Sequence, residues 1–369
     1  MLPFAPNAIF ILNGSRFKLS LAIGTSEKGY IDMLGLVHKK EQKNHHLVTC
    51  LFLVFGMLIL SVIIFHSTNA FDPNATKYVF VKKWGSRGTG DGQFMRIHDI
   101  DFNPSETRLY AIDRDGNRIQ VFDKNGTFLF KWGSKGTGDG QFTVPYSVDV
   151  VANSNVWVAD RGNHRIQEFD KDGKFLFKFG SFGAKPGEFN NPRQVAVDKD
   201  MKYLYVVDSK NNRIQKFFTN GSFVKSWGTL GTGNGQFSLP VTIIMDSKGN
   251  LIVNERGNSR VQKFDSNGTF LLKFGSAGKG DGQFSEIEHM ATDSFDNIYV
   301  NDPQSGPDGS GMARVQKFDT NGHFITKFGS SGSGDGQFTD PEHLAVDSDG
   351  NVYVTDRRHN NIQEFKPVN

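Results

Sequence analysis

The sequence predicts an all-β fold: a six-bladed β-propeller of four-stranded blades over residues 78–369, preceded by one transmembrane or signal helix. Three observations lead there. A W/F-G-S/T motif recurs with its aromatic at Trp84, Trp132, Phe179, Trp227, Phe274 and Phe328, evenly spaced apart from one longer interval before Phe328. A period in the forties with several short strands per unit marks a propeller blade. The 41 glycines and 34 phenylalanines supply tight turns and large apolar faces, which suits many short strands. Finally, the last unit stops after its third strand, at Ile362-Gln-Glu-Phe365, while an orphan strand, Tyr78 to Trp84, leads into the first W-G motif. That strand can complete the sixth blade and leave no open edge.

Residues 1–46 read as a cytoplasmic tail, 47–66 as a transmembrane helix or signal segment, and 67–77 as a linker. The run from Leu47 to Phe65 is uncharged and long enough to span hydrocarbon. His38, Lys39, Lys40, Lys43, His45 and His46 precede it, whereas only Asp72 and Lys77 follow closely. A basic flank keeps its own side in the cytoplasm, so the propeller is expected outside it, anchored through 47–65. Thr68-Asn69-Ala70 offers a small-residue cleavage site, which makes secretion after cleavage near Ala70 the alternative. Met33 would also serve as a start, and translation from it would omit positions 1–32. Positions 1–77 carry 7 Lys/Arg against 4 Asp/Glu, which leaves 35 of each sign in 78–369, so the net +3 belongs to the N-terminal part. The single cysteine, Cys50, rules out an intramolecular disulfide, so packing and strand pairing must supply the stability.

Each repeat runs in the same order. A glycine-rich loop such as GTGDGQF at 88–94 ends in Gln/Glu-Phe, and an alternating first strand follows, as in Arg193 to Asp198. The second strand is aromatic and β-branched (Val156-Trp-Val-Ala-Asp160) and the third reads Arg165-Ile-Gln-Glu-Phe-Asp170. An Asn-Gly or Asp-Gly pair then leads to the fourth strand, and that dipeptide predicts a type I′ hairpin. The acids Asp113, Asp160, Asp208, Glu255 and Asp356 end second strands, and Arg118, Arg165, Arg213 and Arg260 begin third strands five positions on. An acid and an arginine across one tight turn should pair, a structural role repeated from blade to blade. Blade 6 has Asn361 in place of the arginine. Asp91, Asp139, Asp281 and Asp335 lack the full spacing of a calcium loop and read as turn residues.

Val158-Ala-Asp-Arg-Gly-Asn-His-Arg-Ile-Gln-Glu-Phe-Asp170 and its weaker copies in the other blades resemble the NHL repeat. That resemblance implies the propeller fold, and it is shared by proteins of many functions. The amidating lyases of peptidyl-hydroxyglycine are similar through the same segment and place metal-binding histidines after the proline that opens the first strand. Here those positions hold Tyr146, Arg193, Val241 and Glu342, and only His98, after Ile97, fits. Tripartite-motif relatives imply RNA binding or a ubiquitin-ligase platform, but one cysteine cannot build their zinc domains and the formally neutral propeller argues against nucleic acid.

Ligands of a propeller meet the face where the glycine-rich loops and the turns between second and third strands gather. Counting from the Phe of Gln/Glu-Phe, the fourth residues are His98, Tyr146, Arg193, Val241, Glu288 and Glu342, and the fifth are Asp99, Ser147, Gln194, Thr242, His289 and His343. His98, Asp99, Tyr146, Arg193, Glu288, His289, Glu342 and His343 are therefore the candidate binding residues. His289, His343 and Asp99 are the candidate ligands for a divalent metal. Strict alternation along a strand would send neighbours such as His98 and Asp99 to opposite sides and keep the set from converging. Between Asp302 and Arg314 the same face gains an insertion, a candidate recognition loop. Asn74, Asn125, Asn220 and Asn267 are sequons open to glycosylation in an exported chain.

The expected function is an exported, membrane-anchored scaffold that binds a protein or glycan ligand, monomeric, with no required cofactor and no evident catalysis. The alternative is a metal-dependent enzyme, amidating-lyase-like or other, with its site at the channel mouth.

Overall fold

A computed structural model of the chain describes the backbone of 8–13, 16–23 and 27–30 and, with side chains, residues 72–73, 75, 77–303 and 312–368. The chain divides into two units, Met1–Asn69 and Ala70–Asn369. In the first, Ala8–Asn13, Arg16–Ile23 and Glu27–Tyr30 pair as an antiparallel three-stranded sheet. The apolar run 47–65, the cleavage site near Ala70, Asn74 and positions 304–311 of the insertion lie outside the described residues. Among the described residues no helix is long and apolar enough to cross a membrane.

The second unit is the six-bladed propeller. Five blades are consecutive four-stranded antiparallel meanders, the first being Ile97–Phe102, Leu109–Asp113, Arg118–Phe122 and Phe128–Trp132. Blade 6 takes three strands from the C-terminus (Pro341–Val346, Val352–Asp356, Asn361–Val368) and its outermost from Lys77–Trp84. The closing pair runs from Ile362↔Trp84 to Val368↔Lys77. The ring therefore closes as the orphan strand predicted.

The core is divided among the blade interfaces. Tyr110, Ile112, Ile119 and Val121 of blade 1 pack against Phe142, Val148, Val156, Val158 and Phe169 of blade 2, and five similar clusters complete the circle. Second strands are covered on both faces by neighbouring blades, which is why they are almost continuously apolar up to the acid that ends them. Fourth strands alternate between partly buried and exposed because only one face is covered.

The repeated polar residues tie each glycine-rich loop to its blade. In blade 2, Arg165 Nε donates to Asp160 at 2.8 Å, Nη1 donates to the Thr137 carbonyl at 2.7 Å, and Nη2 to those of Gly138 and Gln141. Gln167 donates to Gln141 O and accepts from Gly140 N, and Asn163 donates to Asp160 and to Gly136 O. The acid–arginine pair recurs as Asp113–Arg118, Asp208–Arg213, Glu255–Arg260 and Asp302–Arg314, at 2.5–3.0 Å. In blade 6, which lacks the arginine, His359 contacts Asp356 at 2.9 Å instead. The loop aspartates Asp91 and Asp335 pair with Lys131 and Lys83, Asp139 with Lys178, and Asp281 with Lys327, so they are rim ion pairs on turns.

The hairpins between third and fourth strands differ from the expected type I′. Only the glycine has positive φ (Gly126 +88°, Gly173 +84°), and the ladder shifts register immediately after the turn. This is a type I turn with a glycine bulge. The cause lies just upstream of the dipeptide that suggested I′. Asp123 accepts from the N–H of both Asn125 and Thr127, which leaves the left-handed residue to Gly126. Asn125, Asn220 and Asn267 sit on these hairpin tips.

The glycine of the W/F-G motif has a different reason. Gly133 has φ +99°, and a Cβ there would lie 2.6 Å from the fully buried ring of Phe142. Gly133→Ala is expected to cost about 2 kcal/mol, from overpacking plus backbone strain, read by urea unfolding. An unchanged midpoint would show that this contact is not limiting.

Candidate functional site

The first strands begin at the channel mouth, and almost all of them begin with a β-bulge. Between Ile97 and Ile100, His98 and Asp99 stand opposite Ile112 alone, and a similar irregularity follows Pro145, Pro192, Pro240 and Pro341. In blade 5 the ladder starts only at Met290, so Glu288 and His289 lie just before it. A bulge breaks the strict up–down alternation. This overturns the expectation that neighbouring positions diverge, because His98 with Asp99, and Glu342 with His343, all take part in contacts at the mouth.

The eight candidate binding residues gather there, seven of them buried and Arg193 partly exposed. His98 Nε2 lies 3.0 Å from Glu342 Oε1, and His343 Nδ1 lies 2.5 Å from Asp99 Oδ1. Neither contact has hydrogen-bonding geometry, and both nitrogens and Asp99 Oδ1 lack a hydrogen-bond partner. The imidazoles of His289 and His343 are stacked, and His98 packs on Tyr146 with ring centroids 3.9 Å apart. Asp99 Oδ2 accepts from Val148 N at 2.8 Å, which fixes the carboxylate on the blade 1–2 boundary. Arg193 reaches Glu288 only at 3.9 Å. A cavity of about 10 Å³ lies among His98, Tyr146, Glu288, His289, Glu342 and His343, room for one water or one ion and no organic molecule.

Burial lowers all three histidines from their usual titration range, and His289 and His343, held well below it, are uncharged imidazoles. Burial also raises the Asp99 carboxyl well above its usual range and pushes Glu288 up to about 7. Glu342 goes the other way. Burial opposes its ionisation, but His98 and the guanidiniums of Arg357 and Arg96 outweigh that, and Arg357 is 3.1 Å away. Asp99, His289 and His343 each offer one ligand atom, and these lie within 4.8 Å of one another. Neutral imidazoles with a carboxylate are the donor set that zinc and its neighbours prefer.

Reasoning from sequence missed the arginines over the mouth. Arg114, Arg161, Arg256 and Arg357 each follow directly on the acid that ends a second strand, a repeat position that could have been read by laying the blades over one another. The backbone sets them at the mouth: Arg114 N donates to Arg96 O and Arg357 N to Asp340 O, joining each turn to the loop that leads into the blade. Arg357 pairs with Asp340 and Glu342, and Arg256 with Glu286 and Glu288. Asn254 and Thr355 bridge first strands, donating to the carbonyls of Glu288 and His98.

Residues 146–227 match the family model described as "6-bladed beta-propeller", and residues 338–365 match the NHL repeat. No curated protein matches the sequence. Among solved structures, a protein of unknown function from Bacteroides thetaiotaomicron is similar at 18% identity and a TM-score of 0.60, over 79% of this chain and 76% of that one. A catalytically inactive virginiamycin B lyase from Staphylococcus aureus, solved with quinupristin, is similar at 11% identity and a TM-score of 0.55, over 79% of this chain and 100% of that one. Hydrazine synthase from Kuenenia stuttgartiensis is similar at 14% identity and a TM-score of 0.52, over 73% of this chain and 76% of that one. At these identities the likeness extends to the fold. With its six four-stranded blades, the chain is a six-bladed β-propeller, and residues 338–365 carry an NHL repeat.

Proposed function

We propose that this propeller is a ligand-binding platform whose site is the channel mouth, organised on a divalent transition metal held by Asp99, His289 and His343. One observation carries the reading: three buried ligand atoms on different blades lie within 4.8 Å, and Asp99 Oδ1, His289 Nε2 and His343 Nδ1 have no hydrogen-bond partner. Buried polar atoms are rarely left unpaired, and a cation would satisfy all three and keep Asp99 ionised. The ligand that meets this face is a protein or glycan, and the 47–65 run would tether the platform to a membrane with the propeller exported. The sequons Asn125, Asn220 and Asn267 would then be open to glycosylation.

A second reading, a metal-dependent enzyme, draws on the ligand count. Three protein ligands leave a coordination position for water or substrate, as in catalytic zinc sites, and the His98–Glu342 pair stands beside it. Virginiamycin B lyase places a lyase on the same fold, which lends that reading its architecture and nothing more.

The test is elemental analysis of the purified full chain, stripped with chelator and dialysed against zinc, copper and manganese. About one ion per chain is expected, absent from His289→Ala/His343→Ala, with stabilisation of about 2.7 kcal/mol at a hundredfold excess over Kd. No metal above background in the wild-type chain would sink the proposal. Metal bound without turnover of amide, ester or lactone substrates would favour the platform over the enzyme.

A further inference from the structure

The two sides of the channel mouth are charged differently. On the side of blades 4 to 6, Arg256 lies between Glu286 and Glu288, and Arg357 between Asp340 and Glu342, so each guanidinium has carboxylates. Glu286 and Asp340 stand two positions after the Phe of Gln/Glu-Phe, and Glu288 and Glu342 four after. In blades 1 to 3 the same positions hold Arg96, Val144 and Asn191, then His98, Tyr146 and Arg193. The acids are gone from that half of the rim and the arginines remain.

Those arginines converge. The guanidinium carbons of Arg161, Arg193 and Arg114 lie 4.8, 5.2 and 5.8 Å from the centre of the Tyr146 ring, which is itself only 6% exposed. They come from three elements: the turn of blade 1, the turn of blade 2 and the first strand of blade 3. Arg161 is held by a hydrogen bond from Nε to Asn191 Oδ1 at 2.9 Å. Arg114 has Asp115 only at 3.9 Å and Arg193 has Glu288 only at 3.9 Å, beyond hydrogen-bonding range, and Glu288 is already engaged by Arg256 at 2.8 Å. Nε of Arg114 and Nη1 of Arg193 are buried donors with no acceptor, as is Nε of the adjacent Arg96.

An aromatic face attracts each cation but accepts none of the in-plane N–H groups, so the ring does not satisfy Arg114 Nε or Arg193 Nη1. Three like charges around one buried ring repel one another unless an anion lies between them. A guanidinium fork matches the paired oxygens of a carboxylate or phosphate. We infer that Arg114, Arg161 and Arg193, floored by Tyr146, form a recognition site for the oxyanion group of a small ligand or of a ligand side chain. The site is distinct from the Asp99–His289–His343 group and does not depend on a metal there.

The test is calorimetric titration of the full chain, metal-free and in chelator-free buffer at fixed ionic strength, with inorganic phosphate and separately with acetate. Saturable binding of at least one of them is expected, with Kd of about 1 mM or tighter. Arg161→Gln and Arg114→Gln should each weaken it about tenfold or more while keeping the wild-type melting temperature, since neither belongs to the Asp–Arg clamps. Lys174→Gln, a charge removed from the hairpin face, should leave binding unchanged. A preference for phosphate would indicate a phosphorylated ligand, and a preference for acetate a carboxylate. No saturable binding of either anion, or equal affinity in Arg161→Gln, Arg114→Gln and the wild type, would overturn the inference. The metal-free condition separates this result from the fate of the metal reading.

Discussion

Arg165→Ala should cost about 3–5 kcal/mol, the loss typical of breaking a buried ion pair by removing one partner. Asp160 is fully buried, and the arginine side chain is only 7% exposed. Removing the cation leaves a carboxylate whose remaining donors are Thr143 N, Asn163 and Gln167. It also removes the arginine from the carbonyls of Thr137, Gly138 and Gln141 in the 136–142 loop, leaving Gly138 with Gln141 N and Gln141 with Gln167. Urea unfolding would give the magnitude, and hydrogen exchange should localise early opening to that loop. Arg165→Met, similar in reach but neutral, should lose nearly as much, since Asp160 is still stranded. A loss below about 1 kcal/mol would mean that the pair behaves like a surface salt bridge and that the loop is held by other contacts.

Removing the closing strand should be at least as damaging. A chain that starts at Gly85 is expected to lose about 5 kcal/mol or more relative to one that starts at Ala70, from the burial of Tyr78, Phe80 and Trp84 alone. Tyr78 stacks on Phe328 with centroids 4.5 Å apart, and its hydroxyl lies 2.8 Å from that of Tyr299. Its removal also strips Lys317, which is fully buried, of the Pro73 carbonyl at 2.8 Å and the Tyr78 hydroxyl at 3.2 Å. A cation left underneath an open edge, together with the exposed outer edge of Asn361–Val368, favours both local unfolding and edge pairing between molecules. The shorter chain should therefore bind hydrophobic dye, unfold in a broadened transition and self-associate. Equal melting temperatures and monomeric behaviour for the two chains would show that the other three strands suffice for blade 6.

The number of blades, the closure and the acid–arginine pairs were legible because each is a matter of recurrence. Trp84, Trp132 and their counterparts count the units, and a fixed spacing across a tight turn decides which side chains meet. The hairpin type was misread at Asn125-Gly126 because the deciding residue, Asp123, stood outside the dipeptide that carries the I′ signal. The eight candidate site residues could be picked out as a set because their positions vary from blade to blade while the framework repeats. Of the arginines over Tyr146, Arg193 was among the candidates, whereas Arg114 and Arg161 went unnoticed because they follow a framework acid at a position that is arginine in four blades, so nothing in the repeat set them apart.

What the sequence by itself determined is the repeat: six units, four strands each, a ring closed by the strand from Tyr78 to Trp84, and those mouth residues that vary from blade to blade on the first strands. Periodicity carries that information along the chain. Which of those residues converge was decided by the tertiary structure, through two features that no linear pattern encodes. The bulges at the start of the first strands turn neighbouring side chains toward one axis, and the circular order of blades brings Asp99 of blade 1 beside His289 and His343 of blades 5 and 6. The same closure places Arg114, Arg161 and Arg193 around one tyrosine. Electrostatic partners are chosen by distance in space, and ring closure makes neighbours of first strands that lie near opposite ends of the propeller sequence, as the Asp99–His343 contact shows.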